Sequence, residues 1–312
     1  MRIFFLLFLL CGTLFPQQTQ FPKANPDKIL TAELQKLVTT FHGEVGIYVR
    51  NLKTGKTVEI NADSLFPTAS MIKVPIMCGI LDRVEKKELR YDTILVYRDS
   101  LEYPGVDIVA ALRDSTKIPL GQVIMLSMTT SDNTGSLWLQ FLAGTGTRIN
   151  KVMEENGFAV TRVNSRTPGR EKMRSLYGWG VTSPREMAEL VAKIRNGKMI
   201  SPWASERMFR NMSRTYWDDR ALAEIPPYVH AATKQGAVDE SRSEVVLVTG
   251  PVSEYVFCVV TKNQQDTSWS VNNEGYLLIR NVSKILWNYF EPKDTWKPYP
   301  ESLPMYHTRE EE

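Results

Sequence analysis

The sequence predicts an α/β (α+β) fold in two lobes, on three observations. Short strand-like runs occur near both ends of the chain, a long helix-patterned stretch separates them, and 312 residues at 43% hydrophobic content can bury a large core. Taken in order, residues 26–41 carry an amphipathic helical pattern. Residues 45–50 and 57–60 read as two strands joined by a hairpin turn at Lys53, Thr54 and Gly55. From 67 to about 214 the pattern is mostly helical, with Ser183 and Pro184 opening a helix that runs through residue 195 and Gly197 stopping it. Strands over 228–233, 244–248 and 255–261 and a helix over 274–290 follow. One lobe is thus expected from residues 23–66 and 215–290, the helical lobe from 67–214.

The ends of the chain read differently. Arg2 and an apolar stretch over 3–10 indicate a secretory signal within residues 1–20, too short to span a membrane as a stable helix. Leu10 is bulkier than the small residue usual before a lipidated cysteine, so cleavage between Gly12 and Gln20 is expected rather than lipid anchoring at Cys11. The mature chain is then periplasmic or secreted. Cys78 and Cys258 remain, expected as buried thiols on a core helix and a core strand rather than as a disulfide. Residues 291–312 shift to Pro292, Pro298, Pro300 and Pro304 among aromatics and end in three glutamates, a tail expected to lie outside the core, either packed along it or mobile. A net charge of +3 with no basic run interleaved with aromatics argues against a nucleic-acid partner. No phosphate-cradling glycine loop appears, and no metal or cofactor is expected; the partner expected is a small-molecule substrate of a monomer.

Three motifs carry the chemistry. Ser70 and Lys73 form the only S-x-x-K of the chain, followed in order by Ser131-Asp132-Asn133 and Lys234-Gln235-Gly236. A serine hydroxyl is a poor nucleophile at neutral pH and needs a nearby group to take its proton, together with a cradle for the developing oxyanion. On a helix, Ser70 and Lys73 sit one turn apart on one face, and Ser70 at the helix start has free backbone amides beside it. Asp132 in the second motif also reads as a helix cap. Lys53-Thr54-Gly55 repeats the third motif's pattern but lies in the hairpin turn, which removes it from the site.

These motifs resemble those of the class A β-lactamases and the wider penicillin-recognising serine enzymes. Residues 69–76, the Leu101-Glu102-Tyr103 segment, residues 141–158 and Thr161-Arg162-Val163 extend the resemblance over roughly residues 25–290. It implies a β-lactamase/D,D-peptidase-like fold, with a five-stranded antiparallel sheet flanked by helices plus an all-helical lobe. It further implies Ser70 as the acylated nucleophile, Lys73 as proton acceptor or relay and Ser131 as donor to the leaving nitrogen. By the same resemblance Asn133 binds the substrate's amide side chain, Tyr103 walls the cleft, Lys234 sets a positive potential, Gln235 and Gly236 line the site, and the amides of Ser70 and Ala237 receive the oxyanion. Two neighbouring cations would also favour a neutral Lys73.

The chain departs from the family pattern in two places. Where the family reads on from Thr-Arg-Leu-Asp into a Glu-Pro pair, whose glutamate activates the deacylating water, this chain has Thr167-Pro168, and a threonine hydroxyl is no general base near pH 7. Glu171 either takes that role from one turn further on or is a solvated loop carboxylate. Gln235 replaces the usual hydroxyl residue, and Arg242 is either a bidentate partner for a substrate carboxylate or an exposed strand arginine. The expected activity is an exported, β-lactamase-like serine hydrolase that opens β-lactam amides, as in antibiotic resistance, with deacylation in doubt. Two alternatives stay open: a penicillin-binding sensor that acylates and stalls, and a D,D-peptidase, amidase or esterase.

Overall fold

The computed structural model describes residues 21–105 and 107–298; the expected signal segment and residues 299–312 lie outside the described residues. In chain order, β1 (Asn25–Pro26) leads into α1 (Lys28–Thr39), followed by the hairpin strands β2 (Glu44–Asn51) and β3 (Lys56–Ile60). Next come β4 (Phe66–Pro67), a single 3₁₀ turn over Ala69–Ile72, α2 (Lys73–Glu85), β5 (Ile94–Val96), β6 (Lys117–Pro119) and α3 (Leu120–Thr129). Then follow α4 (Asn133–Leu142), α5 (Thr145–Glu155), β7 (Arg162–Val163), α6 (Glu171–Tyr177), β8 (Gly180–Thr182), α7 (Pro184–Arg195) and α8 (Pro202–Met212). The chain returns as β9 (His230–Val238), β10 (Ser241–Thr249) and β11 (Glu254–Lys262) and reaches α9 (Glu274–Phe290).

Several boundaries follow from local chemistry. Ser183 caps α7 by accepting the Glu186 amide at 3.2 Å, and Gly197 stops the segment with φ of 69°. Helix α1 starts two residues later than the apolar pattern suggested, because Asp27 accepts the Leu30 amide at 3.1 Å and holds Pro26 outside as strand. At the Lys53-Thr54-Gly55 turn, Asn51 Oδ1 accepts the amides of Lys53 and Thr54, both at 3.0 Å, and Gly55 takes φ of 74°.

The main sheet runs β1-β3-β2-β11-β10-β9. Its five long strands pair antiparallel as expected, and a sixth, two-residue strand, β1, adds a parallel edge to β3. Both faces are covered, which explains why residues 245–248 of β10 and 255–260 of β11 are continuous apolar runs rather than alternating. Val246, Val248, Tyr255, Phe257 and Val259 pack with Leu278, Ile279 and Leu286 of α9, whereas Val245, Leu247, Val256, Cys258 and Val260 face the helical lobe. Cys78 and Cys258 are buried free thiols.

The lobe expected to be all-helical carries two small sheets. Strands β5 and β6 pair, and β8 lies between β4 and β7, so the strand just before the 3₁₀ turn is tied to both ends of the loop over 164–179. The first residues after α9 pack along the fold: the buried Glu291 carboxylate accepts the amides of Val252 and Ser253, and Tyr228 donates to Asp294 at 2.6 Å. No helix among the described residues is long and apolar enough to cross a membrane.

Candidate active site

The site is built around the 3₁₀ turn. Thr68 donates its amide to Gly180 of β8 at 3.0 Å, Ala69 takes a left-handed φ of 42°, and Ser70 lies on the turn three residues before α2 begins at Lys73. The three-residue spacing puts Lys73 Nζ 3.0 Å from Ser70 Oγ. That amine also reaches the carbonyl of Ser131, Ser131 Oγ at 3.0 Å and Asn133 Oδ1 at 2.8 Å. Lys73 is fully buried, and burial pulls its pKa down to about 7 against the raising influence of Asp107 and Asp132. A neutral amine has a lone pair that can accept the Ser70 proton. The expected neutral lysine therefore has a different main cause: desolvation, not a neighbouring cation.

The second motif works as cap and site together. Asp132 caps α4 by accepting the Gly135 amide at 2.7 Å and holds the Val109 amide with its other oxygen at 2.8 Å. With Asp132 anchored and Ser131 in a left-handed conformation at φ of 64°, the flanking Ser131 and Asn133 both reach Lys73. Thr134 accepts the Tyr103 amide at 3.0 Å, which fixes that segment beside the site, and the Tyr103 ring meets Trp179 edge-on at 5.2 Å.

The third motif arrives on the edge strand. Its residues lie inside β9, which runs past the predicted end to Val238. Lys234 Nζ donates to Ser131 Oγ at 3.0 Å, so Ser131 bridges both lysines, and it also meets the Gln235 carbonyl at 3.0 Å and Gln235 Oε1 at 3.1 Å. Burial first, then Lys73 and Arg220, lower the Lys234 pKa well below its usual value. Gly236 lets β9 close on the nucleophile: a Cβ there would lie 2.7 Å from each of Ser70 N, Thr68 O and Ser243 Oγ. Ala237 follows on the same strand, paired with Arg242 of β10.

The loop between β7 and β8 brings no carboxylate to this cluster. Thr167 is buried, donates to the Ser165 carbonyl at 2.9 Å and packs so closely on Gly146 that a Cβ at Gly146 would sit 1.8 Å from its Oγ1. Glu171 is exposed at the start of α6 and accepts the Gly169 amide at 3.0 Å. The structure places the Glu171 carboxylate in solvent at the start of α6, turned back on its own loop.

Residues 28–290 match the profile of the β-lactamase enzyme family. The chain belongs to that family. Among curated proteins it resembles Beta-lactamase VEB-1 of Pseudomonas aeruginosa, at 21% identity over 273 residues, covering 84% of this chain and 90% of that one. Among solved structures it resembles PBP-A, with a TM-score of 0.78, 26% identity, and coverage of 88% of this chain and 100% of the other. A PBP-A mutant in an acyl-enzyme complex with penicillin G is similar at a TM-score of 0.76 and 26% identity, covering 87% of this chain and 99% of that one.

As a β-lactamase-family serine hydrolase, the chain carries two arginines that need separate treatment. Arg242 is neither an exposed strand residue nor free for a substrate carboxylate. It is fully buried, donates to the carbonyls of Val238, Asp239, Ser241 and Ser268, and stacks between Trp269 and Tyr276, each at 4.8 Å. Arg220, which the motifs did not flag, lies against Tyr276 at 4.2 Å and adds positive charge near Lys234. Nothing in its sequence context distinguishes it, since sheet and helix bring it in from a connecting segment. Among the described residues no cluster of three or more His, Cys, Asp or Glu side chains is placed to hold a metal ion.

Proposed function

We propose that this protein is an exported serine hydrolase that opens β-lactam amides through an acyl-Ser70 ester and releases that ester slowly. The 3.0 Å contact between Ser70 Oγ and the buried amine of Lys73 carries the proposal. Neutral Lys73 takes the hydroxyl proton as Ser70 Oγ attacks the carbonyl carbon, and the backbone amides of Ser70 and Ala237 receive the oxyanion. Ser131, in contact with both lysines, passes the proton to the leaving nitrogen as the amide C–N bond breaks. Asn133 and Tyr103 hold the substrate's side chain, and Lys234 with Gln235 faces its carboxylate.

Slow release follows from the loop. The Thr167 hydroxyl is engaged with the Ser165 carbonyl, Glu171 faces solvent, and no other loop carboxylate stands in for a base on the deacylating water. The penicillin G complex of the PBP-A mutant supports a stable acyl-enzyme on this fold. The same loop favours a second reading, a penicillin-binding sensor that stalls after acylation. Export rests on Arg2 and the apolar stretch over 3–10.

Intact-mass measurement with benzylpenicillin tests the reading. One equivalent of adduct that decays slowly is the expected result, and Ser70→Ala should form none while melting at nearly the wild-type temperature. A permanent adduct would favour the sensor, whereas no adduct on the wild type would mean that a different amide or ester is the acyl donor.

A further inference from the structure

Residues 162–174 concentrate the chain's positive charge. Arg162, Arg166, Arg170, Lys172 and Arg174 stand against the single carboxylate of Glu171, a net +4 in a chain whose total is +3. Five arginines elsewhere, Arg90, Arg98, Arg148, Arg185 and Arg195, each lie within 3.0 Å of a carboxylate, whereas the exposed Arg113 and Arg214 stand singly along the chain rather than in a cluster. Among the described residues none of the five loop cations forms an ion pair. Arg162 donates to the carbonyls of Phe158 and Thr161, and Arg170 to Asn164 Oδ1, so both are held in place but stay uncompensated.

The segment is a firm rim beside the nucleophile. Asn164 and Ser165 donate their amides to the Trp179 carbonyl at 2.7 and 3.1 Å, closing the loop's neck, and β8 is hydrogen-bonded to Thr68 two residues before Ser70. Arg166 is exposed between the buried Ser165 and Thr167, at a left-handed φ of 47°. Lys172 and Arg174 are exposed on α6, and the Arg174 amide donates to the Arg170 carbonyl at 2.8 Å. Like charges gathered this closely repel one another, and a bound polyanion relieves that repulsion.

We propose that the loop over 164–179 is an electrostatic docking rim for a polycarboxylate acyl donor, whose chain leaves the Ser70 cleft past Tyr103 and Trp179 and carries several acidic groups. The proposal rests on the acyl-transfer reading above: an amide or ester donor is peptide-like, so its acidic groups are carboxylates. A single substrate carboxylate is met by Lys234, and the rim serves the remainder. Arginine's planar donor fork suits carboxylate oxygens.

The test compares peptidyl thiolester acyl donors flanked either by glutamates or by glutamines. Wild type should show a kcat/KM about tenfold or more higher for the glutamate donor at low ionic strength, a preference that high salt erases. The variant R166Q/K172Q/R174Q should lose the preference while keeping wild-type kcat on the glutamine donor and the wild-type melting temperature. Equal kcat/KM for both donors on wild type, or a preference that survives in the variant, overturns the proposal. If neither thiolester is consumed, the acyl-transfer reading fails instead. Fluorescein-labelled hexaglutamate then decides the rim by anisotropy: salt-sensitive binding lost in the variant supports it, and absence of binding overturns it. Tighter binding of an oligothymidylate of equal charge would overturn the choice of carboxylates.

Discussion

Acylation of Ser70 should follow the titration of one buried amine. Lys73 has no exposed surface, and burial lowers its pKa from 10.5 to about 7. With an ordinary lysine pKa, roughly 0.03% of the amine would be neutral at neutral pH; at about 7, roughly half is, a gain of about three orders of magnitude in available base. The acylation rate constant should therefore fall about tenfold for each pH unit below the pKa and level off above it. Stopped-flow measurement with a chromogenic cephalosporin, at constant ionic strength across about pH 5 to 9, reads this directly. Lys73→Ala should lower the plateau at least about a hundredfold and remove the inflection. A flat wild-type profile, or an inflection that survives in Lys73→Ala, would refute the assignment and move the base role to Lys234 or a carboxylate. Stability should change with pH in a definite direction as well. The unfolded chain keeps a proton on Lys73 between about pH 7 and 10.5 that the folded chain has shed, so this lysine's contribution to stability rises with pH through that window. Its penalty is fully present below about 7.

Pre-steady-state traces should show a burst near one equivalent followed by a slow steady rate; Thr167→Glu should speed the second phase, and Glu171→Gln should leave it unchanged because that side chain faces solvent. Because Thr167 packs directly on Gly146, Thr167→Glu should also cost about 1–3 kcal/mol in urea unfolding, the usual penalty of overpacking. Gly236→Ala should cost a similar amount and slow covalent labelling strongly, since its Cβ would press on the backbone at Thr68 and Ser70; labelling at the wild-type rate would show that β9 need not approach so closely. Arg242→Ala should destabilise by about 3 kcal/mol or more, by stranding buried carbonyls and emptying the space between Trp269 and Tyr276. A raised KM without loss of stability would return Arg242 to the substrate.

What was legible in the sequence is what the chain settles within a turn or along one strand. The spacing of Ser70 and Lys73 predicts their contact, because three residues of helix return to the same face whatever else the protein does. Ser183 with Pro184, the stop at Gly197 and the turn at Lys53-Thr54-Gly55 are local in the same sense, each decided by one cap or one backbone conformation. A strand as short as the two-residue β1 has no alternation to read, and its pairing depends on where β3 already lies.

The order of the three motifs, together with the family resemblance, pointed to one site, but only the tertiary structure decided how its charges behave. Lys234 reaches Ser131 from more than a hundred residues away because β9 is the edge of a sheet closed against the helical lobe, with Gly236 as the point of contact. That closure buries both lysines, and desolvation, which has no local signature, then sets their protonation. The same physics turned Arg242 inward, where carbonyls and aromatic faces replace the water it would otherwise hold. Glu171 went the other way. Spacing brings it within a turn of the missing base, yet side-chain direction depends on how α6 packs against β4 and β8, and that packing leaves the carboxylate in solvent.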